Sequence, residues 1–265
     1  VSVEASQRML RTLLLCVAVV LARPAVAAVE VKVGAAHFPP YTVRPEQGAG
    51  TGLLPRLVEA LNEVQSSYRF VLVPTSIPRR FRDFQQGRVD IAVFENPDWG
   101  WQEIPHVTVD MGLEDAEIFV ARRHDAGNQQ YFNELQGKRL ALFSGYHYAF
   151  ANFNADPAWL ASRFNATLTY SHDSNLAMVE RKRADIALVT RSYFSDFLAR
   201  NPESANNLTA SERIDQVYHH YALLRPGAPI SGEEFNELME RLRANGDLVS
   251  IFTPYRIKVT GIPGL

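Results

Sequence analysis

The stretch Ser144-Gly145-Tyr146-His147-Tyr148 places a glycine, two phenols and an imidazole directly after an apolar run. Gly145 lets backbone approach a ligand closely. The helix expected next, His147 to Ser162, offers unpaired N–H groups at its start, which suit a polar or anionic ligand atom. Thr190 and Arg191 follow a second apolar run, Asp185 to Val189, and form a second candidate pair; Arg191 has the alternative of simply opening a helix. Arg79, Arg80 and Arg82 precede Gly87. A guanidinium such as that of Arg79 can clamp a carboxylate or phosphate through paired hydrogen bonds, while a run of three also suits a solvated face. Trp99 and Trp101 share a Pro/Gly/Asp loop, where two indoles are unusual. They are read as cleft walls, as hinge packing or as a contact for a partner.

Other chemistry finds less support. His219-His220 looks like a metal pair, but adjacent strand residues point to opposite faces and do not chelate together. The seven histidines show no spacing suited to zinc. Gly-x-Ser-x-Gly, phosphate-loop and dinucleotide-glycine patterns are all missing from the sequence. A formal charge of −2 leaves no basic excess to follow a nucleic-acid backbone. With 46% hydrophobic and 21% charged residues, the composition is that of a globular protein. No cofactor or metal is implied.

The N-terminus reads as an export signal over 1–27. Met9 and Arg11 begin it, Leu13 to Leu21 is an unbroken apolar run, and Ala25-Val26-Ala27 gives the small-residue cleavage pattern. The run is too short for a spanning helix. The single cysteine, Cys16, falls inside it, and Leu15 before it is not the small residue a lipid-attachment site wants. The expected mature protein is therefore cysteine-free, which suits the periplasm and excludes thiol chemistry and disulfides.

The elements that must position these residues alternate between strand and helix. Val29 to Ala35, Phe70 to Val73 and Val89 to Phe94 read as strands. Leu54, Leu57, Val58, Leu61 and Val64 recur at helical spacing, with Pro55 in the first turn. Pro78 to Gln86 reads as a helix with Phe81 and Phe84 inward. The grammar restarts after 120 with strands at Arg139 to Phe143, Leu168 to Tyr170 and Asp185 to Val189, and with helices at Leu176 to Arg183 and Tyr193 to Arg200. Gly87-Arg88-Val89-Asp90-Ile91-Ala92-Val93 is echoed by Lys182-Arg183-Ala184-Asp185-Ile186-Ala187-Leu188. Ser231 and Glu234 form a capping box for a helix carrying Phe235, Leu238, Met239 and Leu242, with Gly246 beyond its end and a last helix over Asp247 to Phe252. Two similar α/β lobes follow from this pattern.

In their order, these pieces resemble the family 3 solute-binding proteins of bacterial ABC importers over about Val31 to Tyr255. The likeness rests on Phe38-Pro39-Pro40-Tyr41 followed by Gly52-Leu53-Leu54-Pro55, on Gly87-Arg88-Val89-Asp90-Ile91-Ala92, on Leu135 to Leu142 with Ser144-Gly145, and on Asn245-Gly246-Asp247-Leu248. The resemblance implies a two-lobed periplasmic binding protein fold, α/β, with parallel-rich sheets and helices on both faces. Lobe one then spans 28–119 plus 222–265, and lobe two 120–221. The crossings fall near Ile118 to Ala121 and His219 to Leu223, with ligand in the cleft. It further implies an aromatic cover at Phe38 or Tyr41, the latter also suited to a packing plug; a cleft-facing arginine at Arg79; and a cleft carboxylate at Glu95, with a plain loop charge as the alternative. The family's carboxylate-gripping arginine is missing from Glu95 to Glu103, and Thr190 stands where the family holds an amino group with aspartate. Amino-acid specificity is therefore not carried over. The expected role is a monomeric, non-enzymatic capture protein for a small polar or charged molecule, serving an inner-membrane permease. A sensor subunit of a membrane signalling protein is the first alternative. A dehydratase or lyase working through Glu95 or His147 is the second.

Overall fold

The structure, a computed structural model, describes residues 27–47 and 51–261, so the expected export signal lies outside the described residues except for Ala27. Strand β1 (Val29–Ala35) buries Val31, Val33 and Ala35 on one face, as its alternation demands. It pairs in parallel with β2 (Tyr68–Pro74) and β3 (Ile91–Glu95). Helix α1 (Leu53–Glu63) lays Leu54, Leu57, Val58 and Leu61 into this core. Gly52 enters it at φ 118, and a Cβ there would lie 2.7 Å from the Pro40 carbonyl oxygen. Only glycine fits that approach. Helix α2 (Arg80–Gln85) is shorter than the expected span and buries Phe84.

Strands β5 (Leu140–Phe143), β6 (Ala166–Thr169) and β7 (Ile186–Thr190) repeat the parallel arrangement. Both β5 and β7 are buried along their whole length, as strands covered on both faces are. The sequence echo has a structural counterpart. The Asp90 carboxylate accepts from the Lys32 backbone N–H at 3.0 Å, and the Asp185 carboxylate accepts from that of Arg139 at 2.9 Å. Each aspartate pins the entry of its strand to the neighbouring one.

Two long antiparallel strands join these halves: β4 (Val107–Arg122) and β8 (Leu208–Leu224), paired from Val107↔Leu224 to Arg122↔Leu208. The register shifts between Asp110 and Leu113 and again from Glu117 to Val120, where bulges bend a ribbon. They merge both halves into one mixed, nine-stranded sheet ordered β2-β1-β3-β8-β4-β7-β5-β6, with β9 (Lys258–Val259) on β4. The buried clusters remain separate. Two draw on residues up to Leu113 and from Ala222 onward, and the other two on Ile118 to Leu208. The architecture is two-lobed α/β. Helix α3 (Pro157–Phe164), α4 (His172–Glu180) and α5 (Arg191–Arg200) cover the second lobe. Helix α6 (Gly232–Ala244), with its capping box, and α7 (Asp247–Phe252) cover the first.

One expected helix is corrected. Residues 147–162 form no single helix; a short 3-10 turn at Ala149–Ala151 is followed by α3. Asn152 and Phe153 both take positive φ, which ends helical geometry, and Asp156 caps the later helix.

Candidate functional site

A cavity of about 80 Å³ lies where the two crossing strands meet both lobes. Lobe one contributes Phe38 beyond β1, Ile77 and Arg80 around the start of α2, Phe94 and Glu95 at the end of β3, and Trp99. The crossing strands contribute Glu117 from β4, and Gln216 and Tyr218 from β8. Lobe two contributes Gly145, Tyr146 and His147. The lobes touch beside the cavity: the Phe38 and Tyr146 rings meet edge to face at 5.3 Å, and a Cβ on Gly145 would lie 2.9 Å from Ile77 Cγ2.

Six of the expected site residues line this space: Phe38, Glu95, Trp99, Gly145, Tyr146 and His147. The other five do not. Arg79 is exposed at the start of α2, and the adjacent Arg80 turns inward instead. Arg80 Nε meets Glu95 Oε1 at 2.9 Å, and its Nη1 donates to the Ile77 carbonyl at 2.6 Å. A helix rotates successive residues by about 100°, so two neighbours cannot share one direction. Trp101 is fully buried behind the wall, where its indole donates to Glu95 Oε2 at 2.8 Å. Tyr41 is also fully buried: its hydroxyl donates to Asp115 Oδ2 at 2.7 Å, and the same oxygen meets His220 Nε2 at 2.6 Å. It locks β4 to β8, and it stacks beneath Phe38 at 4.8 Å. Thr190 caps α5 by accepting from the Tyr193 N–H at 3.1 Å. Arg191 opens that helix, with Nε 3.9 Å from Asp115 Oδ1.

Two of the N–H groups expected to be free at the start of the 147–162 element are taken. Asp215 accepts from the Ala149 and Phe150 N–H groups at 2.8 and 2.9 Å. Gln216 Nε2 donates to the His147 carbonyl at 2.6 Å, tying the same loop to β8. His219 is partly exposed on β8 and His220 is fully buried, as opposite faces require.

Sequence reasoning missed Glu117. It stands in register between Thr190 of β7 and Gln216 of β8, only 3% exposed, and its Oε2 has no hydrogen-bond partner. Burial, with Asp115 and Asp215 adding to it, pushes its carboxyl well above the usual range. Burial also pushes the Glu95 carboxyl up, against the opposing pull of Arg80 and the Trp101 indole. His147 is lowered to about 4 by burial and the Arg80 charge, so its ring is uncharged at neutral pH. The Tyr218 hydroxyl is a second buried group without a partner. Phe94 lines the cavity at φ 59, a conformation rare for an aromatic residue. A third acid after Glu114 and Asp115, leading directly into the apolar run Ile118 to Ala121, was the available signal for Glu117.

No family profile matches this sequence, and no curated protein matches it significantly. Solved structures do match the shape. A substrate-binding protein of an ABC uptake transporter from Streptococcus pneumoniae, with bound histidine, is 16% identical, with a TM-score of 0.67 over 85% of this chain and 92% of its own. The chain has the fold of the periplasmic binding proteins. A histidine kinase sensor domain similar to periplasmic binding proteins is 18% identical at TM-score 0.62, covering 88% of this chain and 97% of its own. An ancestral amino-acid-binding protein, precursor of cyclohexadienyl dehydratase, is 15% identical at TM-score 0.61, covering 85% and 94%. In this periplasmic-binding-protein fold, the cavity described above lies between the lobes.

Proposed function

We propose that the protein captures a small molecule between its lobes. The observation that carries this is a cavity walled jointly by lobe one, lobe two and both crossing strands, with buried polar groups left unpaired in its wall. Solvent-inaccessible polar atoms without partners are costly, and a ligand that satisfies them recovers that cost. The separate buried clusters support a division of the lobes in β4 between Leu113 and Ile118 and in β8 between Leu208 and Ala222. Bulges in that segment of β4 are suited to hinge bending.

The capture serves an exported, monomeric protein in the periplasm that hands its solute to an inner-membrane permease. The likeness to a histidine kinase sensor domain supports a second reading, in which the bound form signals to a membrane partner. Catalysis draws less support. Glu95 is tied in place by Arg80 and the Trp101 indole, and the neutral His147 is in its base form rather than its acid form. Among the described residues no helix is long and apolar enough to cross a membrane.

Thermal unfolding of ligand-stripped protein against amines, amino acids, organic acids, phosphates and sugars tests the proposal. A ligand at about 100 times its Kd adds about 2.7 kcal/mol, a rise of about 5–10 °C for a chain of this size. A panel that leaves the transition unmoved removes the capture reading.

A further inference from the structure

The one cation on the cavity wall, and two backbone donors beside it, are already spent. Among the described residues, Arg80 is the one arginine or lysine lining the cavity, and Glu95, Ile77 and Trp99 hold its guanidinium. The Ala149 and Phe150 N–H groups beside it belong to Asp215, and the Gln216 amide belongs to the His147 carbonyl. A ligand carboxylate entering here meets no free cation, and a buried charge without a partner is strongly disfavoured.

Glu117 presents the opposite situation. Its strand neighbours Thr190 and Gln216 have committed their side chains elsewhere. The nearby acids are satisfied, Asp115 by Tyr41 and the Ala116 N–H, and Asp215 by its two backbone donors. Glu117 Oε2 alone among these carboxylates is buried and unpaired, on the same wall as the unpaired Tyr218 hydroxyl. The rings of Phe38, Trp99, Tyr146 and Tyr218 line the same cavity, with Trp99 and Tyr218 edge to face at 5.1 Å. Aromatic faces attract cations, most strongly where water is excluded.

We infer that the captured solute is an organic monocation, a primary or quaternary ammonium on a small apolar body, with Glu117 as its counter-ion and the aromatic wall around the body. This rests on the capture reading. The ammonium supplies the charge that Glu117 lacks, and an N–H or polarised N–CH3 group can meet the Tyr218 oxygen.

Calorimetric titration with phenethylamine, its neutral analogue phenethyl alcohol, its anionic analogue phenylacetate, zwitterionic L-phenylalanine, and choline tests this on the wild type, Glu117→Gln and Tyr218→Phe. At least one ammonium probe is expected to bind at least tenfold more tightly than phenethyl alcohol and phenylacetate, and L-phenylalanine no more tightly than phenethylamine. Glu117→Gln is expected to lose at least tenfold toward that ammonium while leaving phenethyl alcohol unchanged; Tyr218→Phe, which keeps the ring, is expected to lose about threefold. Tighter binding of phenylacetate or L-phenylalanine overturns the inference, as does undiminished ammonium binding by Glu117→Gln. Failure of both ammonium probes also overturns it. Where the wider solute panel still raises the melting temperature, the capture reading survives that failure; where nothing does, both fall.

Discussion

Arg80 Nε lies 2.9 Å from Glu95 Oε1, and this contact decides the electrostatics of the cleft by cancelling the cation on the cavity wall with a carboxylate of the same lobe. Trp101 braces the pair from behind, donating to the second Glu95 oxygen, and Phe81 lies 4.1 Å beneath the guanidinium. The cleft therefore presents Glu117 as its uncompensated group.

Arg80→Met is expected to cost about 3–5 kcal/mol, because it strands the buried Glu95 carboxylate. Arg79→Ala, at the exposed neighbour, is expected to change stability by no more than about 0.5 kcal/mol. Urea unfolding of both variants checks this; equal effects would mean that the two arginines share one role.

Glu117→Gln is expected to raise the melting temperature of the empty protein. Burial raises the native carboxyl pKa, so at neutral pH the unfolded chain ionises more readily and the group opposes folding. An upward shift of the thermal midpoint at neutral pH is the expected outcome. A drop instead would show Glu117 to be a structural partner.

The same group gives ligand binding a pH dependence. Asp115 and Asp215 face Glu117 and raise its pKa, while Tyr146, Tyr148 and Tyr218 border it as neutral phenols. Ammonium binding needs the ionised carboxylate, so affinity for choline should strengthen as pH rises above the usual carboxylate range, and one proton should be released on binding. Calorimetry in buffers of different ionisation enthalpy measures that proton, and a pH-independent affinity without proton release would exclude Glu117 as the counter-ion.

His172 carries the opposite linkage. Burial lowers its pKa to about 3, and the unfolded imidazole protonates near its ordinary value of 6.5. Its contribution is therefore present above that value and lost as pH falls toward 3. The stability gap between wild type and His172→Asn should shrink by about 2 kcal/mol between pH 6.5 and 5. A constant gap over that range would mean that His172 protonates without cost in the fold.

Gly145→Ala is expected to weaken ligand binding at least tenfold. The added Cβ meets Ile77 Cγ2 across the lobe contact, and φ 86 disfavours any side chain. Adding Ile77→Ala should restore part of the loss. No rescue would place the cost in the local backbone alone.

The alternation of strands and helices, the Asp90 and Asp185 echo, the Ser231-Glu234 cap and the aromatic turn at Phe38 were legible because each is written in neighbouring residues. Local propensity, hydrophobic period and capping chemistry act over a few positions, and a sequence displays them directly. The long β4–β8 ribbon was less legible, since Asp110, Glu114, Asp115 and Glu117 interrupt its apolar pattern and its pairing joins residues about a hundred apart. The choice of Arg80 over Arg79, the withdrawal of Tyr41 and Trp101 behind the wall, and the consumption of the Ala149 and Phe150 N–H groups by Asp215 are relations between distant segments. Whether a charge is spent or available depends on what the fold brings within about 3 Å of it, and only the tertiary structure leaves Glu117 Oε2 without a partner.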